Sequence, residues 1–418
     1  MKARKVVLVD AIRTAFGRAG EKGIFWNTRA DDMVIKVIRE LMRRNPQVKP
    51  EMVEENAWGA FCQEKDQGTT LGRLTVLLSG LSETTAGYSI DRMCAGGMSA
   101  ITTAASAIAL GACDVAIAGG VEHMGHHPMG STAEPNPRFV TDRLVDESAM
   151  SMGATAENLH DMFPEITKEM ADRYALLCQQ KADNAIKSGK IGEMIVPMTV
   201  YTKNGWVVAD KDEQPRPNTT LEGLGELRTP FRVMGKVTPG NSSGLNDGAG
   251  GCLLMSKDKA EELGIQPKME LKGFAYAGVK PEVMGIGPIP ATKKALRVAD
   301  LKIEDIGLIE LNEAFAVQAV AFMNEFGLTY PEDPRLNIYG GAIAFGHPLA
   351  SSGVRLACHL MHGFAEHPEV KYGITTMCVG LGQGGTVVWK NLQRNGDKAE
   401  KKEKDKAEKK EKKEKEKE

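Results

Sequence analysis

DRMCAGGMSAITTAAS, Asp91 to Ser106, sets a single cysteine ahead of a run of small residues that reads as a helix. The preceding YSI, Tyr88 to Ile90, is a short apolar run fit to end a strand. A cysteine at a strand-to-helix turn sits where unsatisfied backbone N–H groups point outward and the helix dipole favours negative charge. A free thiol has a pKa of about 8.5, and such a location draws it down by several units. Cys94 is therefore the first candidate nucleophile, expected as a readily ionised thiol.

Outward from this turn, the chain shows the same layout twice. In the first half the Cys94 turn and its helix lead to CDVAIAGG, Cys113 to Gly120, a buried strand ending in glycines. In the second, LNIYGGAIAFGHP, Leu336 to Pro348, runs into the helix SSGVRLACHLMHGF and then YGITTMCVGLGQGG, Tyr372 to Gly385. Strand, reactive turn, helix and strand ending at glycine recur in order. This predicts an α/β fold of two related layered units whose strand ends face a shared site. The expected domains are residues 1–122, with about 247–269 returning to them, and residues 270–393. Between them, 123–246 is rich in Met, Pro, Asn and charge, with a few helix candidates such as Thr167 to Gly189. Its length argues for an inserted, loop-rich domain over the mouth of the site.

Composition bounds the rest. A length of 418 residues gives ample core, and 42% hydrophobic with 6% aromatic residues suits an α/β protein built on small aliphatics. A net charge of −2 provides no global field to recruit nucleic acid or a membrane surface. No apolar run is expected to reach the roughly 18 residues of a membrane span. The opening MKARKVVLVD lacks a signal-peptide pattern, and seven scattered cysteines suit reduced thiols in a cytoplasmic enzyme. His123, His126 and His127 lack the ligand spacing of a zinc site, so no metal is expected and a loop role is assigned. From Asp397 to Glu418 the chain holds 11 lysines and 9 acids with no apolar residue beyond alanine, so 394–418 reads as a charged, disordered Lys/Glu tail.

A cysteine nucleophile needs a base, and acyl transfer needs an acid and an oxyanion hole. His347 in the glycine-rich GGAIAFGHPLASSG, Cys378 in TTMCVGLGQGG and Asn312 in IELNEAFAVQA are the candidates. Taken singly, a strand cysteine is a packing residue and a His or Asn at a helix start is a cap. Their combination is what points to chemistry.

VDAIRTAFGR, the MCAGG turn, GGVEHMGHHPM, NSSGLNDGAG, LNEAFA, GGAIAFGHPLASSG and TTMCVGLGQGG occur in an order that resembles the thiolases, across about residues 4–391. GVEHMGHHPM and the overall run look closer to the 3-ketoacyl-CoA thiolases of fatty-acid β-oxidation than to the short-chain biosynthetic branch. The resemblance implies a thiolase-like duplicated αβαβα fold and an acetyl-CoA acyltransferase with coenzyme A as co-substrate and no permanently bound cofactor. It implies Cys94 as the acylated nucleophile, His347 as base and oxyanion donor, and Cys378 as second acid/base. Asn312 would act through a held water, and the Gly380 and Cys94 N–H groups would bind the tetrahedral oxyanion. Glu313 would orient the site. Ser243, Arg216, Met152, Phe231, Ala314 and Phe315 would meet CoA or the acyl chain, through scattered side chains because no P-loop is present. A homodimer or homotetramer, and a hydratase/dehydrogenase partner subunit, are also implied.

The chain departs from the family pattern at three places. Asp91 stands where asparagine is usual; it is expected to cap the turn, and to oppose thiolate formation if it faces the site. Ala95-Gly96-Gly97 follows the nucleophile in place of a Gly-Ser segment, and NDGAGG replaces NDGAAA, extending glycines where helix is expected.

Overall fold

The computed structural model describes residues 3–130 and 134–394; the Lys/Glu tail from 395 onward lies outside the described residues. The first half runs β1 (Val6–Arg13), α1 (Ala30–Arg44), β2 (Glu55–Gly59), α2 (Leu71–Ser79), β3 (Ala86–Ile90), α3 (Gly96–Leu110) and β4 (Val115–His123). The chain then leaves the sheet through two longer helices, α4 (Met152–Met162) and α5 (Lys168–Lys187), and returns as β5 (Asn246–Ser256). The second half runs β6 (Met269–Gly278), α6 (Pro288–Ala299), β7 (Ile306–Leu311), α7 (Ala316–Glu325), α8 (Ser352–Glu366), β8 (Tyr372–Val379) and β9 (Gln383–Asn391).

Pairing makes the repeat explicit. In the first half β1 and β4 each run antiparallel to β5, and β2 runs parallel to β4 and to β3. In the second, β6 and β8 each run antiparallel to β9, and β7 runs parallel to β8. The second-half counterpart of β3 is reduced to one parallel bridge, Ile309 to Leu336. The order β7-β8-β9-β6-β1-β5-β4-β2-β3 joins both halves in one ten-stranded sheet that also takes in Gly17–Arg18, through a short β1–β6 pairing.

Helices α3 and α8 pack on each other, and α8 touches strands of both halves. α3 is built almost wholly of small or apolar residues, as a helix enclosed on most sides must be, and α8 adds Arg355, His359, His362 and Glu366 to such residues. Closeness explains the glycines after Cys94: a Cβ at Gly97 would lie 2.4 Å from the Ala350 carbonyl oxygen. Met93–Leu110 is in fact long and apolar enough to cross a membrane, correcting the expectation that no run reaches that length; most of it is buried as α3. The NDGAGG segment is also corrected, from helix to strand β5. A Cβ at Gly250 would sit 3.0 Å from Val354 of α8, and one at Gly251 2.8 Å from Val37 of α1, so the glycines admit helices against both faces.

Candidate active site

Strand β3 ends at Ile90, and the Asp91 carboxylate accepts the Met93 N–H at 2.6 Å, capping the turn as expected. Met93 adopts a left-handed φ of 44°, which costs a non-glycine residue about 1 kcal/mol or more. The bend presents Cys94 just ahead of the α3 N-terminus, and Cys94 alone of the seven cysteines is not fully buried. The backbone N–H groups of Gly380 and of Cys94 itself lie near its thiol and favour the thiolate. Burial nonetheless outweighs these donors, and the Glu122 and Asp91 charges add to it, pushing the thiol up to about 11. The readily ionised thiol expected from the turn alone is thus overturned: the helix terminus is closed in by the second half, and desolvation wins.

His347 lies in the corresponding place of the second half, between the bridge residue Leu336 and α8. Its N–H donates to Asn246 Oδ1 at 3.1 Å, and its Nδ1 lies 2.6 Å from Ser352 Oγ. Burial and the nearby Arg355 charge depress the imidazole to about 3, so it is a neutral base at physiological pH. Asn312, just past β7, is fully buried, with its Nδ2 3.4 Å from His347 Nε2 and its Oδ1 accepting Arg355 Nη2 at 3.0 Å.

Cys378, near the end of β8, is raised first by burial and then by the charge of Cys94, so the two thiols are electrostatically coupled. Its thiol points to Gln318 Oε1 at 3.8 Å. The tight β8–β9 turn that follows supplies Gly380, where a Cβ would lie 2.9 Å from Met93 Sδ and 3.9 Å from Met152 Sδ. Beneath this group the buried Glu122 carboxylate accepts the N–H groups of Phe61 (3.0 Å), Cys62 (3.2 Å) and Ala350 (3.4 Å) and the Gln67 amide (2.8 Å), pinning the base of one half to the other.

The remaining sequence candidates form three groups. Met152 borders Gly380, and the Phe231 ring covers neighbouring Gly153, where a Cβ would lie 2.2 Å from the ring. The Ser243 N–H donates to the Ala314 carbonyl at 2.9 Å and Ser242 bridges Phe315, so Ser243, Ala314 and Phe315 meet. Arg216 is exposed on a groove of about 460 Å³ that also takes in Gln179, Leu224, Pro239, Gly240 and Ile343. Glu313 is bound within another buried group: it accepts from Tyr174 Oη and Cys178 Sγ at 2.9 Å and from Asn337 Nδ2 at 2.5 Å. His126 and His127 both bond Asp66, at 2.9 and 2.6 Å, while His123 stacks on His126 and meets the Phe25 carbonyl. Glu122, Asn246 and Ser352 lie within the quoted GGVEHMGHHPM, NSSGLNDGAG and GGAIAFGHPLASSG segments without a role read for them, and Arg355 lies outside these; only tertiary placement brings the four to the site.

Two family models cover nearly the whole described body: "Thiolase, N-terminal domain" matches residues 6–258 and "Thiolase, C-terminal domain" matches 265–391. The chain belongs to the thiolase family. It is 42% identical over 389 residues to a 3-ketoacyl-CoA thiolase of Photobacterium profundum, covering 93% of this chain and 99% of the relative. It is equally 42% identical over 394 residues to a 3-ketoacyl-CoA thiolase of Marinobacter nauticus, covering 94% and 100%. Among solved structures, human mitochondrial 3-ketoacyl-CoA thiolase superposes with a TM-score of 0.84 at 33% identity, and Bacillus anthracis acetyl-CoA acetyltransferase with 0.83 at 36%. Each alignment spans 93% of this thiolase-family chain and 99% of the other. The fold is accordingly the thiolase fold, and the chain is an acyltransferase of that family.

Proposed function

We propose that this thiolase cleaves 3-ketoacyl-CoA with coenzyme A, giving acetyl-CoA and a shortened acyl-CoA through a thioester on Cys94. The observation that carries the reading is that Cys378 feels the charge of Cys94, Asn312 lies 3.4 Å from His347, and Ala350, three residues past His347, packs on Gly96, two residues past Cys94. A neutral thiol beside a neutral imidazole defines the first step: His347 takes the Cys94 proton as sulfur attacks the 3-keto carbon. The oxyanion formed there accepts the Gly380 and Cys94 N–H groups, each such donor being worth about 3 kcal/mol. As the C2–C3 bond breaks, its electron pair becomes the acetyl-CoA enolate, held by His347 and a water on Asn312. Cys378, raised by burial and so protonated, donates its proton to that carbon. The incoming CoA thiol then gives its proton to the Cys378 thiolate and attacks the thioester, and Cys94 recovers its proton from His347.

The Arg216 groove, reaching Ile343 four residues before His347, is proposed to take the CoA nucleotide end. Ser243 with Ala314 and Phe315, and Met152 with Phe231, would line the pantetheine and acyl path. No permanent cofactor is proposed. Thiol cysteines throughout suit a reducing, cytoplasmic setting. Strand β3, paired on one side only, offers an edge for assembly as a homodimer or homotetramer, and a hydratase/dehydrogenase partner fits the same pathway chemistry.

Incubation with acetyl-CoA followed by mass spectrometry is expected to find the acetyl group on Cys94; turnover retained in Cys94→Ala would reject the mechanism. Identity to an acetyl-CoA acetyltransferase supports a rival, acetoacetyl-CoA-forming direction. Thiolysis of ten- to sixteen-carbon 3-ketoacyl-CoA is expected; activity on the four-carbon substrate alone would select the rival.

A further inference from the structure

Arg355 is, with His359, a fully buried polar residue of α8, and the Glu310 and Glu313 carboxyls are the opposite charges near it. It is fully buried, and its Nε and Nη1 have no hydrogen-bond partner among the described residues. A methionine or leucine of similar bulk would avoid that desolvation cost, so the guanidinium is retained at the expense of stability. Its one hydrogen bond, from Nη2 to Asn312 Oδ1 at 3.0 Å, ends on the amide beside His347.

A guanidinium only donates, so the amide atom facing it must be oxygen. The nitrogen is then turned to the His347 side, where Nδ2 lies 3.4 Å from Nε2 and 3.5 Å from Nδ1. In the flipped amide, two donors would face each other in a buried site. The Asn312 backbone is fixed separately, its N–H donating to the Thr376 carbonyl at 2.9 Å, which leaves the side-chain torsion as the freedom still to be set. On the same helix face, one turn earlier, Ser352 anchors the His347 ring.

We propose that Arg355 is a positioning residue of the reaction, locking the Asn312 amide with its nitrogen toward His347 so that the group holding the water for the reacting oxygen cannot rotate away. The role rests on the thiolase reading above. Arg355 itself touches no reacting atom; it acts through Asn312.

The test is steady-state thiolysis of acetoacetyl-CoA by the full chain, in a double-mutant cycle. Arg355→Lys keeps the buried charge but loses the planar fork. It is expected to lower kcat about 10- to 100-fold, the scale of a misplaced catalytic group, with KM for both substrates unchanged within about threefold and Cys94 still acetylated by acetyl-CoA. Asn312→Ala is expected to lower kcat at least as far, and adding Arg355→Lys to it is expected to lower kcat no further. Multiplicative losses, or an unchanged kcat in Arg355→Lys, overturn the proposal. If Arg355→Lys does not fold, Arg355→Gln with Glu310→Gln removes the guanidinium together with the buried Glu310 carboxyl that interacts with it, and enters the same cycle; failure of both to fold assigns Arg355 to the framework and also overturns it. Failure of the thiolase reading is seen separately, as absent thiolysis and absent Cys94 adduct in the unaltered protein.

Discussion

The two halves repeat one topology yet bring different chemistry to the same corner. In the first half, the turn before the buried helix presents Cys94; in the second, the equivalent turn presents His347. Past β2 the first half places Phe61 and Cys62, whose N–H groups serve the buried Glu122; past β7 the second places Asn312 beside the imidazole. The exits of β4 and β8 differ most. β4 ends at His123 and the chain does not rejoin the sheet until Asn246, whereas β8 turns back into β9 across only Gly380, Leu381 and Gly382. The long exit provides Met152, Arg216 and Phe231; the short one provides a rigid N–H aimed at the thiol. Duplication thus supplies two helix N-termini at one point, and divergence divides them into a covalent half and a proton-handling half.

Separating the halves chemically is the largest expected effect. Cys94→Ala should abolish both acylation and turnover, a loss of about 10⁴-fold or more. Cys378→Ala should lower thiolysis about 10²- to 10⁴-fold, the scale of one general acid/base, while Cys94 still takes up an acetyl group, read by intact-mass measurement. Equal loss of acylation in both variants would break the division. Next comes the seam between halves: Gly97→Val should cost about 3 kcal/mol by overpacking against the Ala350 carbonyl, measured by urea unfolding. A third effect concerns the thiol itself. Because burial raises Cys94 toward 11, its neutral form persists above the ordinary thiol range, and the iodoacetamide alkylation rate should keep rising with pH beyond about 9. A plateau by about pH 7 would show an ion-paired thiolate instead.

That third effect marks where sequence reading stops. The Cys94, His347, Cys378 and Asn312 segments are legible because glycine-rich turns between apolar strands and helices are local features. The thiol's ionisation is not, because the segments that close over the turn, Ala350 on Gly96 and Gly380 on Met93, come from about 250 to 290 positions away. The Gly250-Gly251 pair reads as helix in sequence because its cause, helices pressed on both faces of β5, is tertiary. Arg355 looks from sequence like any polar residue of a helix and Ser352 like the end of a glycine-rich turn; only the seating of α8 at the sheet centre aims them at Asn312 and His347.

Ser352 gives the smallest and most selective test of the division. Its Oγ lies 2.6 Å from His347 Nδ1, and the hydroxyl either donates to that nitrogen or accepts from it according to which ring nitrogen carries the proton. During acylation His347 gains a proton on Nε2, and Ser352 must then accept from Nδ1. Since Nε2 must be bare to take that proton, Nδ1 carries the hydrogen in the neutral ring too, and Ser352→Ala leaves this N–H unmatched in a fully buried place throughout, at a greater cost once the ring is charged. The ground state, with neutral imidazole, loses less than the charged intermediate does. A fall in kcat of about tenfold, equal to about 1.4 kcal/mol, with KM held within about twofold, is therefore expected, whereas Ser352→Thr, which restores the hydroxyl, should recover most of it. Equal losses in the alanine and threonine variants would show that the position matters for packing against α3 rather than for the proton that His347 carries.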